Sequence, residues 1–266
     1  MLKKLARTAQ NYLPGLAEVK NEAYHWARAT FRLAHDSAFA ALVDLPRREN
    51  ELFIDVGANR GQSILSMRRY RPDAPIVCFE PNPRMMLWLK AHFAAEPMLT
   101  LIEAGLGPRV QRRTLYTPHY RGFPYDGLAT FCETTARRYL SPETVFGFDP
   151  AALTLRPQVC AMLPLDAFAL EPTFIKIDVE GGEFGVLQGA ARTLERCRPV
   201  LMIERFYGDD RVDELLQRSG YREMVHGYGG FRAGRGTGEN AFWAPAEDQA
   251  FAFNIGDVPC LPASLS

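Results

Sequence analysis

The stretch Phe53-Ile54-Asp55-Val56-Gly57-Ala58-Asn59-Arg60-Gly61-Gln62-Ser63 constrains this chain more than any other. Phe53 to Val56 read as a short buried strand. Gln62 to Tyr70, with Ile64, Leu65 and Met67 apolar, read as the helix that follows. Between them, Gly57 and Gly61 let the backbone turn sharply and come close to a ligand. Strand, glycine turn and helix place unpaired helix N–H groups beside the turn, the entry to a nucleotide-type site. A second strand, Ile76 to Phe79, ends in Glu80, 23 residues after Gly57. In doubly wound sheets an acid about 20 residues on receives ribose hydroxyls.

The turn is not G-x-G-x-x-G. It lacks the middle glycine that lets a pyrophosphate approach, and Asp55 puts a carboxylate where a pyrophosphate would be repelled. A ligand with a ribose and a cationic or amino-bearing group fits better, and S-adenosylmethionine has both. On this spacing Asp55 and the turn, with Gly57, Asn59, Gly61 and the adjoining Ser63, hold the methionine end, and Glu80 takes the ribose.

Bulk composition sets the class. With 47% hydrophobic and 23% charged residues, the 266-residue chain has the balance of a globular protein with a sizeable core. Its 31 basic and 31 acidic residues cancel, so no global field draws nucleic acid. Cys78, Cys132, Cys160, Cys197 and Cys260 show no metal-ligand spacing and read as reduced, mostly buried thiols of a cytoplasmic protein. No apolar run is long enough for a transmembrane helix. The start, Met1 to Arg7, is charged like a signal peptide but has no apolar core after it. It reads as a solvated helix, with weak membrane-surface contact as the alternative.

Residues 1–50 read as a helical extension broken at Pro14-Gly15. After the break Leu16, Val19, Ala23, Trp26, Ala27 and Phe31 form an apolar stripe expected to pack on the main domain, or else to serve a lid or dimer surface. From residue 51 strands and helices alternate: strands at 52–56, 76–79, 99–103, 173–178 and 199–204, helices at 62–70, 83–94, 183–196 and 210–219. Such alternation specifies a parallel sheet covered on both faces. Tyr221 to His226 and Glu239 to Trp243, joined by a glycine-rich loop, add an antiparallel pair. Five parallel strands closed by such a pair make the seven-stranded Rossmann-like sheet of a class I methyltransferase. Residues 105–165, rich in Pro, Gly, Tyr, Phe and Thr, read as an irregular substrate-facing insertion, and 246–266 as a tail.

The second telling stretch is Phe174-Ile175-Lys176-Ile177-Asp178-Val179-Glu180-Gly181-Gly182-Glu183. A strand ends in Asp178, a turn follows, and Glu183 opens a helix. Three acids within six residues lie at the carboxyl edge of the sheet, where ligands bind in open α/β folds. Glu183 either joins that group or caps its own helix. Glu204 ends the next strand and faces the same crevice.

Together, these two stretches, Phe79-Glu80-Pro81-Asn82-Pro83 and Leu187-Gln188-Gly189-Ala190 resemble the FkbM family of S-adenosylmethionine-dependent methyltransferases, over roughly residues 50–245. The resemblance implies O-methylation of a hydroxyl, of a sugar in a glycan or glycolipid or of a natural product. It also implies that Asn82 lies beside the ribose or adenine and that Glu103, Ala104 and Leu106 border the adenine. Gly127 to Phe131 meet the family's pattern before its middle helix only loosely, which leaves the acceptor open.

An alcohol acceptor has to lose a proton, so a base or a metal is expected. Asp178 is the first choice for a group near the reacting methyl. Glu180 takes the acceptor proton or holds a hydroxyl. His119 and His226 are further bases, in segments expected to overhang the crevice. Asp178 and Glu204 also allow Mg²⁺, with no third protein ligand identified; base catalysis ranks above it. Two rival functions carry less of the sequence. A nicotinamide-dinucleotide oxidoreductase needs the absent glycine and a Tyr-x-x-x-Lys pair. An inactive cofactor-binding interaction module would not need these acids.

Overall fold

A computed structural model of the chain describes residues 4, 5, 7, 8, 11, 14–31, 33–205 and 210–248. The central sheet contains β1 (Phe53–Val56), β2 (Ile76–Phe79), β3 (Leu99–Ile102), β8 (Phe174–Ile177), β9 (Val200–Glu204), β10 (Tyr221–Gly227), β11 (Gly230–Ala233) and β12 (Asn240–Pro245). Their order is β3-β2-β1-β8-β9-β12-β10-β11. The first five run parallel, and β12 is antiparallel to both β9 and β10. The fold is α/β with a mixed sheet, five parallel strands continued by an antiparallel set.

Every residue of β1, β2 and β8 is buried, as expected of parallel strands covered on both sides. Phe53, Cys78, Phe174 and Met202 pack on one face beneath α2 (Gln62–Tyr70) and α3 (Pro83–His92). Val56, Phe79, Ile177 and Trp243 pack on the other beneath α5 (Glu183–Gln188), α6 (Ala191–Cys197) and α7 (Arg211–Arg218). The expected helix 183–196 is thus two helices. They break at Gly189, where a Cβ would lie 2.0 Å from the carbonyl oxygen of Gly107.

The sheet has eight strands, not seven. The extra strand, β11, arises inside the glycine-rich loop. Gly229 and Gly230 adopt positive φ (93° and 97°), which closes a tight hairpin with Gly227 paired to Gly230. Phe231 then packs on Phe242.

The stretch 105–165 is not irregular either. It forms a second sheet, order β4-β7-β5-β6, from β4 (Gly105–Leu106), β5 (Gln111–Tyr120), β6 (Phe123–Pro124) and β7 (Leu153–Leu163), with α4 (Glu133–Arg138) between. β5 and β7 pair antiparallel along their length. Pro118 and Pro157 inside these strands, and the arginines at 112 and 113, mask the alternation that signals a strand. This sheet carries its own apolar cluster of Tyr120, Phe123, Tyr125, Leu140 and Val145.

The N-terminal region is more entangled with the sheet than an extension would be. A 3₁₀ segment, Ser37–Asp44, sends Phe39, Ala41 and Leu42 into the core beneath β1 and α2. The buried guanidinium of Arg71 ties this segment down. It donates to the Leu42 carbonyl at 2.7 Å, to the Leu45 carbonyl, and to the Glu51 carboxylate at 2.6 Å. Arg71→Met would leave two carbonyls and a carboxylate without their donor. Urea unfolding is expected to show a loss of about 3–5 kcal/mol, the range for removing one partner of a buried ion pair. A loss under ~1 kcal/mol would mean the clamp is dispensable.

Helix α1 (Pro14–Phe31) departs from expectation in its facing. Val19, Trp26 and Phe31 are each more than 60% exposed, so the apolar stripe does not pack on the domain; the side chain of Leu16 lies outside the described residues. The face turned inward is polar. His25 packs edge-on against His92 and Phe93, and Glu22 meets His92 Nε2 at 3.0 Å. Helical spacing establishes that a stripe exists, not which side the domain will cover. Cys78 and Cys160 are buried thiols, Cys197 is half-buried and Cys132 exposed, all four free. Cys260 and the apolar patch 251–255 lie outside the described residues. No helix among the described residues is long and apolar enough to cross a membrane.

Candidate active site

The carboxyl ends of β1, β2, β8 and β9 open into a cavity of about 350 Å³, roofed by the second sheet and by residues 126–132. Small-molecule sites range over about 300–1,000 Å³. Glu80 and Asn59 line the side at the end of β2, and Asp178, Glu180 and Glu204 the side at the ends of β8 and β9; Gly57, Ser63 and Leu106 also line the cavity.

Glu80 is buried at the end of β2. Its Oε2 accepts the Asn59 N–H and its Oε1 the Asn82 N–H, both at 2.8 Å. Burial pushes its pKa up to about 7 against these two bonds. Gly57 and Gly61 both have positive φ (84° and 79°). A Cβ on Gly57 would lie 1.9 Å from the Asp178 carbonyl oxygen, so this glycine lets the turns after β1 and β8 touch.

Five of the expected cofactor residues do not reach the cavity. Asp55 is fully buried beneath the turn, accepting from the Ser63 hydroxyl and lying 3.5 Å from Lys176 Nζ. The expected direct contact with the methionine end is corrected: the carboxylate is enclosed between β1, β8 and α2, engaged by Ser63 and Lys176, and does not line the cavity. Gly61 is needed for packing: a Cβ there would strike the Phe93 ring at 2.3 Å. Asn82 caps α3, its Oδ1 accepting the Arg84 N–H at 3.1 Å. Glu103 is exposed and pairs with Lys90 at 3.2 Å, and Ala104 is buried behind the wall.

At the other end, one oxygen from each of Asp178, Glu180 and Glu204 lies within 4.8 Å of the others. Lys176 enters from β8, where its register partner on β1 is Asp55. Its Nζ is 3.2 Å from Asp178 Oδ2. Burial disfavours this ammonium, but Asp178 and Asp55 outweigh burial and raise its pKa. Burial also disfavours the Asp178 carboxylate; Lys176 and a hydrogen bond with Glu204 hold its pKa low nonetheless. Burial and the Asp178 charge push Glu204 up. The two carboxyls titrate as a coupled pair, with Asp178 the more acidic partner.

Glu180 is displayed on a constrained turn. Its own φ is positive (55°). Thr130 Oγ1 donates to its carbonyl at 3.0 Å, and Tyr139 Oη donates to its Oε2 at 2.6 Å. Burial pushes Glu180 up to about 7, in spite of the Tyr139 bond. Glu183 works inside the turn, its Oε1 accepting the Val179 and Gly181 N–H groups at 3.1 and 3.2 Å.

Neither expected histidine lines the cavity. His226 sits on β10, its Nε2 2.7 Å from Asp44 Oδ2, so the expectation that it overhangs the crevice is corrected. His119, on β5, stands outside the lining, within the fields of Arg156, Asp126 and Arg84. Its strand pairing, invisible in the sequence, removes it from a loop. The cavity instead contains His35, Lys176 and Asp126, which the sequence reading passed over. Lys176 stands within the second motif. Asp126 is marked structurally by its pairing with Arg60 at 3.0 Å. No sequence signal marks His35.

A sheet of this topology with its cavity at the parallel strand ends defines a methyltransferase-type α/β protein. Residues 55–223, more than half the chain, match the family model of the methyltransferase FkbM domain, and the chain belongs to that family of methyltransferases. A curated relative, 2-O-methyltransferase NoeI of Sinorhizobium fredii, is 24% identical over 176 residues, covering 65% of this chain and 70% of the relative. Among solved structures, a methyltransferase FkbM from Methylobacillus flagellatus is 17% identical with a TM-score of 0.47, covering 75% of this chain and 44% of that one. This chain thus spans less than half of that protein's length. A putative caffeoyl-CoA O-methyltransferase from Staphylococcus aureus is 12% identical with a TM-score of 0.45, covering 89% and 99%.

Proposed function

We propose that this protein is an S-adenosylmethionine-dependent O-methyltransferase acting on a hydroxyl of a sugar in a glycan, glycolipid or natural product. The observation that carries the proposal is the joining, in one cavity, of a buried strand-end glutamate with a three-carboxylate group. The curated relative named a 2-O-methyltransferase supports oxygen as the accepting atom. The residues fit the cofactor. Glu80 is fixed by two backbone donors and keeps lone pairs for a ribose, and Gly57 and Asn59 of the turn line the cavity with it.

When bound, S-adenosylmethionine supplies a methyl group activated by its sulfonium. The chain's residues bind, align and remove a proton. Glu80 takes the ribose hydroxyls. Asp178, kept ionised by Lys176, faces the cationic centre. Glu180 would take the proton that the acceptor hydroxyl loses on receiving the methyl group.

Glu180 also gives Asp178 and Glu204 the third carboxylate that a Mg²⁺ site would use. Lys176 already stands against Asp178 as a counter-ion, so base catalysis remains the first reading. Sensitivity to chelator, reversed by Mg²⁺, would reverse that order.

The test is incubation with labelled S-adenosylmethionine and a panel of sugar nucleotides, glycolipids and small phenols. Label is expected on a sugar hydroxyl; NADH binding without S-adenosylmethionine binding would overturn the reading. Glu80→Ala is expected to weaken S-adenosylmethionine binding by about 1.5–3 kcal/mol, the range for hydrogen bonds to a charged group. Calorimetry on the folded variant checks this, and unchanged affinity would remove Glu80 from the site.

A further inference from the structure

His35 lies N-terminal to the matched family domain, yet it forms part of the cavity wall. Its position is built rather than incidental. Its backbone N–H donates to Ser66 Oγ at 2.8 Å. The next residue, Asp36, caps the 3₁₀ segment through the Ala38 N–H at 2.9 Å, and its Oδ2 accepts from Asn240 Nδ2 at 2.6 Å. Phe39, one turn on, is anchored in the core. Among the described residues neither ring nitrogen of His35 has a hydrogen-bond partner.

The ring belongs to one end of the cavity. The next residue, Asp36, accepts from Asn240, whose register partner on β9 is Glu204, whereas Glu80 ends β2, three strands away. His35 therefore enters the cavity on the side of the carboxylate group, away from the strand end that carries Glu80. His35 is exposed at the rim of the cavity; partial desolvation there, reinforced by Arg28 and Lys176, lowers its pKa, so near neutral pH the ring is uncharged, with one donor and one acceptor nitrogen. An uncharged imidazole facing a cavity, with neither nitrogen engaged among the described residues, is a hydrogen-bonding partner for a neutral hydroxyl-bearing ligand.

We propose that His35 is an acceptor-binding residue, which hydrogen-bonds the hydroxyl-bearing substrate and so makes the segment before the family domain part of the acceptor site. The inference rests on the O-methyltransferase reading. It adds that acceptor choice is set partly outside residues 55–223. Glu180 and His35 then address the acceptor from different elements, the turn after β8 and the segment entering the 3₁₀ helix. Two such contacts fix an oxygen's direction better than one.

The experiment compares the parent protein with His35→Ala and His35→Asn. Affinity for S-adenosylmethionine and S-adenosylhomocysteine is measured by calorimetry, and KM and kcat on the acceptor that takes label in the panel. His35→Ala should leave both cofactor affinities within about twofold and raise the acceptor KM by roughly 2- to 12-fold, the equivalent of one neutral hydrogen bond. His35→Asn, which keeps a donor and an acceptor, should recover part of that loss. A tenfold fall in cofactor affinity with acceptor KM unchanged would overturn the inference and assign His35 to the methionine end. Unchanged cofactor affinity and unchanged KM would overturn it by taking His35 out of the site. A parent that binds S-adenosylhomocysteine but methylates no hydroxyl would overturn the O-methyltransferase reading, and this inference with it. A parent that methylates normally while His35→Ala shows no change would overturn the inference alone.

Discussion

Glu180→Gln and Asp178→Asn are expected to lower methyl-transfer turnover by about 10²–10⁴, the usual contribution of a positioned base, with cofactor affinity close to that of the parent. The two losses have different causes. Glu180→Gln keeps the shape that Tyr139 and Thr130 hold and removes the group that takes the proton. Asp178→Asn leaves Lys176 paired with Asp55 alone and removes the charge that pushes Glu204 up. Glu204 should then ionise more readily and restore part of the negative charge, so Asp178→Asn is expected to be the milder variant.

Burial raises Glu180 to about 7, and a base works only when deprotonated. Turnover should therefore be full above that pH and fall about tenfold per pH unit below it. The pH–rate profile of the parent and the single-turnover rate of each variant check the prediction. Full turnover in both amide variants, without chelator sensitivity, would mean that these carboxylates only shape the turn.

Gly57→Val is expected to abolish cofactor binding and to destabilise the fold at the same point. The added Cβ would meet the Asp178 carbonyl at 1.9 Å, well inside van der Waals contact. The residue would also have to hold φ near 84°, where a β-branched side chain is strained by about 1–3 kcal/mol. The collision comes before any contact with ligand. Moving Asp178 aside disturbs its pairing with Lys176, so binding and catalysis should fail together. Calorimetry with S-adenosylhomocysteine and a thermal melt separate the effects. Normal binding by a fully stable Gly57→Val protein would show that neither the turn nor the Asp178 approach matters to the site.

Much of this was legible in the chain itself. The strand–glycine turn–helix and the second-strand acid were readable because period, turn chemistry and spacing are local properties. The same holds for the parallel core strands, whose uninterrupted apolar runs specify burial on both faces. The crowding of acids after β8 was visible because Asp178 and Glu180 are nearly adjacent in sequence. The resemblance these residues carry led to the family that the match over 55–223 shows.

Tertiary structure decided the rest. Whether Asp55 faces a ligand or the sheet depends on Lys176, its neighbour across 121 residues of chain but one strand away in space. His226 and His119 were placed by strand pairings, which no local pattern records. The strands β5 and β7 were hidden because prolines and arginines blur a period-two signal that only pairing completes. The stripe on α1 shows the same limit, since amphipathic spacing defines a face but not its partner. His35 enters the cavity on a segment tied to Ser66, Asn240 and Arg71, residues far from it in the chain. Local chemistry writes the elements and the turn; the directions in which their side chains point follow from packing energies summed over partners that sequence distance conceals.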